Sequence, residues 1–534
     1  MTGMDQPPQS QAALIAALAA ELARPGQTVA RYETHISWVL VAGGHAYKFK
    51  KAIRLGFLDC STLAARRHYC EEELRLNRQL CPGLYLDVVS IAGDPAHPHL
   101  GGPGAAIEYA VRMRAFGQGE LWTQRVAHAL LSAADIDSLA ALLARFHQAA
   151  AVAPDHSPWG TLATFTAGAD VTLGTLERLA GDAASHATLA RLRRWDIEQR
   201  RTLAPVFVQR KSAGMVRECH GDLHLGNILT TTRGVEVFDC IEFSDALRWI
   251  DVMNDLAFAC MDLACRQRRD LSVRLRNAYL ALTGDYAGLS MLRYYSVHRA
   301  LVRSMVLLLQ AGQAASQELQ EACVQQGLAY LACAGDAAKP GTPAILITHG
   351  YSGSGKTSFS RQAAEVLGAV HLRSDLERKR LHGVAPGDHS GGLPGAALYA
   401  AAATERTYAR LLALALTVTA AGYVVLVDAA FLTAAQRARF ALCAAQLGVP
   451  FFIVDIQASR ATMAQRLAAR ADAGDDASDA GAQVLTQQLA RAEPLSAAEK
   501  DRAVVVDMEA GMTRATVIGA CRLVADTIGI ACAE

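Results

Sequence analysis

Residues 350–357 read GYSGSGKT, between an apolar run, AILIT (344–348), and a helix-like stretch, SFSRQAAEVLG (358–368). This G-x-x-x-x-G-K-[ST] pattern carries meaning in one context, a strand that turns through glycines into a helix. The glycines let successive backbone N–H groups wrap a phosphate, the lysine reaches its outer oxygens, and the helix N-terminus adds a favourable dipole. A strand that ends in such a turn belongs in a parallel sheet covered by helices on both faces, which fixes the architecture of this part of the chain. The expected cradle runs from Gly350 through Ser352, Gly353, Ser354, Gly355 and Lys356 to Thr357 and Ser358. Thr357 also offers its hydroxyl to a Mg²⁺ ion.

The downstream pattern agrees. Apolar runs near 344–348, 369–373, 423–427, 451–456 and 503–506 alternate with helical stretches. In such sheets the carboxyl ends of the strands line the ligand crevice. Asp375 follows the second strand in HLRSDLERKRL (371–381), with Arg378 three residues on, and Asp428 ends the third in YVVLVDAAFL (423–432). Both acids should therefore face the phosphates. The helix SRATMAQRLAAR (459–470) sets Arg466 and Arg470 four apart on one face, beside a small polar patch, ADAGDDASDAGA (471–482). The pair reads either as a lid at about 470–495, with Arg491 a further candidate, or as a solvated basic face.

The rest of the chain needs a second domain. A length of 534 residues exceeds one hydrophobic core and implies about two to four domains. With 51% hydrophobic and 19% charged residues the composition is globular, and a net charge of +1 offers no field for nucleic acid or an anionic membrane. AGDAAKPGTP (334–343) is the clearest seam, giving domains at 1–335 and 344–534 with 336–343 as linker. Gln11–Arg24 reads as an amphipathic surface helix stopped by Pro25-Gly26. No basic secretory leader precedes it, and no run of about 18 apolar residues follows, so a cytoplasmic protein with no membrane partner is expected. The twelve cysteines contain no C-x-x-C pair and read as free thiols without a metal.

Residues 220–229, HGDLHLGNIL, are oddly polar ahead of an apolar strand. Phosphoryl transfer from ATP to a hydroxyl needs a carboxylate to orient the acceptor and oxygen ligands to hold Mg²⁺ against the triphosphate. Asp222 and Asn227 share this loop. The strand ILT, the turn TTRG (231–234) and the return VEVF bring Asp239 back beside Asn227. Three oxygen-bearing side chains converge. The plainer alternative is a turn in which Asp222 caps backbone groups. Earlier, ISWVLVA (36–42) and HAYKFKK (45–51) flank Gly43-Gly44 as a hairpin, with Ala46, Lys48 and Lys50 on one face. Helical periodicity then dominates to residue 333, apart from the strand–turn–strand at 228–238.

H-G-D-L-H-x-x-N followed by a hairpin and an Asp resembles the catalytic loop of the aminoglycoside phosphotransferase family, relatives of the protein kinases. That resemblance implies an α+β protein-kinase-like fold with an N-lobe at about 25–112 and a C-lobe at about 113–335. It makes Asp222 the catalytic base, Asn227 a metal ligand, Asp239 the second metal ligand, and His220 a brace behind the loop. His224 falls where many protein kinases carry a lysine. Lys48 becomes the phosphate-binding lysine, with Lys50 as fallback. In RRHYCEEELRLNRQL (66–80), Glu73 aligns with Leu76 and Leu80 and so points inward to hold that lysine. Glu71 is solvated, and Glu72 is a substitute. DALRWIDVMNDLAF (245–258) resembles the family's D-x-x-x-DLA segment, with Asp255 as a helix cap. No G-x-G-x-x-G loop precedes the first hairpin strand, so TVARYETHIS (28–37) is expected to cover the nucleotide.

The C-terminal half resembles the small-molecule, polynucleotide and zeta-toxin-like kinases of the P-loop NTPase fold. Asp375 is then the acceptor-activating base, Arg378 an acceptor or phosphate contact, Asp428 a neighbour of the metal's water shell, and Arg466 and Arg470 a closing lid. Taken whole, the order of domains resembles a bacterial family described as bifunctional aminoglycoside phosphotransferase-like and ATP-binding protein. The expectation is a tandem phosphotransferase with two independent Mg²⁺–ATP sites, each acting on a small-molecule hydroxyl. The alternatives are a regulatory ATP-binding half, or 5′-hydroxyl nucleic-acid phosphorylation by the C-terminal half. Glu242, Asp245, Asp251 and Asp262 suggest a cationic acceptor for the first site, while Arg266, Arg268, Arg269, Arg299 and Arg303 suit an anionic one or make internal ion pairs.

Overall fold

Gly43 and Gly44 take φ 56° and 78° in the computed structural model. A two-residue hairpin turn requires such a left-handed pair, and it sets Ser37–Ala42 antiparallel to His45–Lys50. The structure describes residues 8–23, 28–55, 58–384, 400–473, 482–509 and 511–530; of 8–10, 470–473 and 482–483 it describes the backbone alone.

The hairpin is the middle of a six-stranded sheet in the order Ala30–Glu33, Ser37–Ala42, His45–Lys50, Glu108–Arg114, Tyr85–Asp94, His97–Leu100. The last three strands correct the expectation of helix after residue 51. Strand Tyr85–Asp94 is partly covered along most of its length, so the alternation that marks a half-exposed strand is missing from its sequence. TVARYETHIS becomes the exposed edge strand Ala30–Glu33 and its turn. Tyr47 and Phe49 point to one face, where they cluster with Trp38, Leu40 and Ile91 under Ile15 and Leu18 of the helix Pro8–Leu22. That helix is therefore part of the first lobe, ahead of the expected start near 25. Ala46 points to the other face, against Cys70, Leu84 and Val111 beneath the helix Leu63–Asn77. Lys48 and Lys50 share the face of Ala46, so strand alternation alone aims both at that helix.

The chain separates into two compact units, Met1–Thr175 with Arg200–Asp262, and Leu176–Gln199 with Leu263–Glu534. The helices Arg269–Thr283, Leu289–Ala311 and Gln317–Ala337 thus lie in the second unit, upstream of the proline-rich seam. Prolines and glycines at 334–343 end a helix and start a strand; they mark a break in secondary structure and not in packing.

The second unit is built on a five-stranded parallel sheet in the order Val370–Arg373, Val425–Asp428, Ile345–His349, Phe451–Gln457, Ala503–Asp507. Its strands Ile345–His349 and Val425–Asp428 are buried on both faces, and all five lie close to the expected runs. Cys265 and Cys333 are disulfide-bonded in this unit with Cα atoms 5.7 Å apart, which corrects the free-thiol reading for that pair. The other described cysteines are free, and all but Cys443 are buried. Among the described residues, no helix is long and apolar enough to cross a membrane.

Candidate active sites

In the first unit a two-residue turn and one helix converge on Lys48. Its Nζ donates to Glu73 Oε1 at 2.8 Å and also contacts the Asp239 carboxylate. Glu73 is fully buried, whereas the Asp239 side chain is 41% exposed and so opens on solvent. Burial alone would lower the pKa of Lys48, but Asp239 and Glu73 outweigh it and hold the ammonium above its usual range. Burial likewise opposes ionisation of Glu73, yet Lys48 and Lys50 pull it down to about 2. Glu71 is exposed and pairs with Arg67, and Glu72 pairs with Arg75.

The polar loop is fixed from behind. His220 Nδ1 accepts from the Asp222 N–H at 3.2 Å, which leaves Nε2–H to donate to Phe238 O at 2.8 Å. Asp255 caps the loop and not its own helix: its carboxylate accepts from the His220 and Gly221 N–H groups, both at 2.9 Å, and lies 3.2 Å from His147 Nε2. Gly221 has φ 86°, and a Cβ there would meet Leu247 O at 2.6 Å, so only glycine fits. Asn227 Nδ2 donates to Asp222 O at 2.9 Å and to Asp222 Oδ2 at 3.2 Å. The Phe238 N–H donates to Asn227 O at 3.0 Å, so the hairpin returns Asp239 to the level of Asn227. Asp239 itself adopts φ 66°, a left-handed conformation uncommon in non-glycine residues and tolerated best by Asn and Asp. Asp222, Asn227 and Asp239 offer side-chain oxygens, the donor type a hard divalent cation takes.

Three further residues contribute here, of which sequence reasoning missed Tyr85 and gave Lys50 and His224 other roles. Lys50, held in reserve as an alternative to Lys48, is buried and bridges Glu73 and Glu242. Tyr85 links the two lobes of the site: its OH accepts from the Asp239 N–H at 3.3 Å and lies 3.4 Å from Glu73 Oε1. Its strand had read as helix. His224 Nδ1 accepts from the Gly226 N–H, which turns Nε2 toward Asp222 Oδ2 at 3.4 Å. The four acids that suggest a cationic acceptor are each engaged by a partner. Glu242 is spent on Lys50, Asp245 on Arg248, Asp251 on Arg210 at 2.7 Å, and Asp262 accepts from the Leu225 N–H at 2.8 Å. Of the five arginines set against them, Arg268 pairs with Asp270 at 2.8 Å, and Arg266 and Arg303 lie against Tyr330.

In the second unit Gly350, Gly353 and Gly355 take φ 148°, 84° and 101°. A Cβ at these positions would strike Ile456 O at 2.7 Å, Met463 O at 2.6 Å and Met508 Cε at 2.7 Å, so the cradle closes only around glycines. Ser354 Oγ is buried there without a partner, and Lys356 Nζ bends back onto Tyr351 O at 2.6 Å. Both are groups that a phosphate would satisfy. A cleft of about 940 Å³ opens over the cradle, lined by Lys356, Thr357, Asp375, Arg378, Asp428 and Arg466. Arg373 Nη2 donates to Asp375 Oδ2 at 2.6 Å. Burial would raise the pKa of Asp428, but the hydrogen bond and charge of His371, with Arg373 and Lys356, keep it below the usual range. Arg466 donates to Ser354 O at 3.3 Å and Met508 O at 2.7 Å, already against the cradle. The Arg470 side chain and residues 474–481 of the expected lid lie outside the described residues. Helix Ala482–Arg491 brings Gln488 Oε1 within 2.8 Å of the Ser352 N–H and Arg491 to the cleft wall.

Residues 67–292 match the model of the phosphotransferase enzyme family, and residues 345–495 match that of an AAA domain. The chain carries a phosphotransferase-family region followed by a P-loop kinase-like region. It is a phosphotransferase. Uncharacterized proteins of Mycobacterium bovis and Mycobacterium tuberculosis are 28% identical over 451 residues, 83% of this chain and 87% of theirs. Among solved structures, a choline/ethanolamine kinase family protein from Mesorhizobium loti is 15% identical and covers 62% of this chain and 99% of its own, with a TM-score of 0.36. A gluconokinase from Sinorhizobium meliloti is 20% identical and covers 35% of this chain and 97% of its own, with a TM-score of 0.25. Both regions of this phosphotransferase imply ATP and a divalent cation as cofactors.

Proposed function

We propose that this phosphotransferase runs two separate Mg²⁺–ATP reactions, each moving the γ-phosphoryl group to a hydroxyl of a small molecule, in functional domains spanning 1–335 and 344–534. The observation that carries the reading is Lys48 bridging a buried Glu73 and a solvent-facing Asp239, with Asp222 and Asn227 hydrogen-bonded in the same lobe. Asn227 and Asp239 would hold Mg²⁺, which when bound neutralises charge developing on the β- and γ-oxygens.

Asp239 would serve the metal, and Glu73 would hold the Lys48 ammonium toward the phosphates. Asp222 accepts the proton of the acceptor hydroxyl as the new P–O bond forms and the bond to the ADP oxygen breaks. His224, beside Asp222, orients the carboxylate. In the second site the backbone of Gly350–Ser358, Lys356 and Arg466 hold the triphosphate, and Thr357 and Asp428 serve the metal side. Asp375, aligned by Arg373, takes the acceptor proton, and Arg378 contacts the acceptor or the moving phosphoryl group. An ATP-consuming reaction suits the cytoplasm.

The test uses the full chain with Asp222→Asn and Lys356→Ala, singly and together, and follows labelled phosphate from ATP into a metabolite extract. Each single variant should lose its own set of products, by about a hundredfold or more for the general base, and keep the other set. If one substitution removes all transfer, a single kinase with an ATP-binding regulator replaces this reading.

A further inference from the structure

Strand Val370–Arg373 is an edge of the parallel sheet, paired on one side only, with Val425–Asp428. Its other side carries backbone groups that need partners. A helix from outside the P-loop region supplies them. In Arg269–Thr283, Asn277 Nδ2 donates to Ala369 O at 2.9 Å, and Asn277 Oδ1 accepts from the His371 N–H at 3.3 Å. One side-chain amide thus pairs with the strand as a neighbouring peptide would. Arg276 Nη2 adds bonds to Gly368 O at 3.0 Å and Ala369 O at 2.9 Å.

His371 connects this edge to the cleft. Its side chain, 8% exposed, places Nε2 3.2 Å from Oδ2 of Asp428, which is 4% exposed. A buried carboxylate on the metal side of a phosphate site is aimed by such an outer partner, and in metal sites generally that partner governs the affinity.

We infer that Asn277 and His371 are positioning residues of the P-loop site: Asn277 fixes the height of the edge strand, and His371 thereby aims the Asp428 carboxylate. This rests on the P-loop kinase reading above. Asn277 lies within the 67–292 span that matches the phosphotransferase family, so a residue of one region sets the chemistry of the other.

The test measures ATP affinity by calorimetry, with Mg²⁺ and with EDTA, in full-length protein carrying Asp239→Asn to remove metal-dependent binding at the first site. His371→Phe should weaken binding about tenfold in Mg²⁺ and leave it unchanged in EDTA. His371→Gln, which keeps an N–H donor, should recover most of the loss. Asn277→Ala should show a smaller loss of the same kind. Arg274→Ala, on the same helix as Asn277, removes the 3.0 Å pair with Glu365 of the helix Lys356–Leu367, and should change neither value. Equal losses in Mg²⁺ and EDTA, no loss at all, or an Arg274→Ala loss equal to that of Asn277→Ala would each overturn the inference. Should Asn277→Ala fail to fold, the His371 pair decides. Lys356→Ala separates the two readings: if it leaves Mg²⁺–ATP binding intact in this background, the P-loop reading itself falls.

Discussion

Glu73 shows how one carboxylate can organise a site. Two lysines face it because Lys48 and Lys50 are two apart on a strand, and its side chain has no exposed surface. Its pKa falls from an ordinary 4.5 to about 2, so the folded state binds the Glu73 proton more weakly than the unfolded chain does. The stabilisation from this ion cluster is therefore complete above pH 4.5 and is lost as pH falls toward 2. Glu73→Gln should flatten that segment of a stability-versus-pH curve measured by chemical denaturation. At neutral pH it should also destabilise the fold, since Lys48 and Lys50 lose a shared partner while still buried. A wild-type curve as flat as the variant's between pH 4.5 and 2 would rule the cluster out as a stability determinant.

At the scale of elements, the amphipathic reading of the N-terminal helix was right in kind and wrong in importance. Its leucine stripe makes one face apolar, but sequence does not say what that face meets. It meets the sheet: Leu14, Ile15 and Leu18 have no exposed surface. Gln11 adds bonds to Lys50 O at 2.8 Å, to the Ala52 N–H at 2.8 Å and to Glu108 at 2.9 Å. Leu18→Ala should cost about 2–5 kcal/mol, the range for emptying a packed core position, read as a shift in denaturation midpoint. A shift near zero would mean that the helix is only laid on the surface. The strands at 85–94 and 108–114 were hidden for the opposite reason. Strand 85–94 is only partly covered along most of its length, and 108–114 carries Glu108, Arg112 and Arg114, so neither shows the clean apolar–polar alternation that marks a strand.

For the whole molecule, family regions and compact units do not share a boundary, and a cut at the proline-rich seam should expose this. A fragment of 344–534 leaves Gly368 O and Ala369 O without Arg276 and Asn277, Arg380 without Ala281 O (2.6 Å), and the Tyr423 ring without Arg276 and Arg293. It should melt well below the same region in the full chain and be cut faster near 368–373 in limited proteolysis, whereas a fragment that adds 263–343 should recover stability. Equal melting of both fragments would make the seam a true boundary. What the sequence determined by itself was local: the glycine cradle, the hairpin at Gly43-Gly44, the parallel strands and the polar loop at 220–229 follow from dihedral freedom, alternation and short spacing. Tertiary structure decided the rest, because it turned on who meets whom across long stretches of chain. Asn277 against the edge strand, Asp255 beneath the catalytic loop and Tyr85 between Glu73 and Asp239 join residues that no period or motif connects, and only the packed chain brings them within hydrogen-bonding reach.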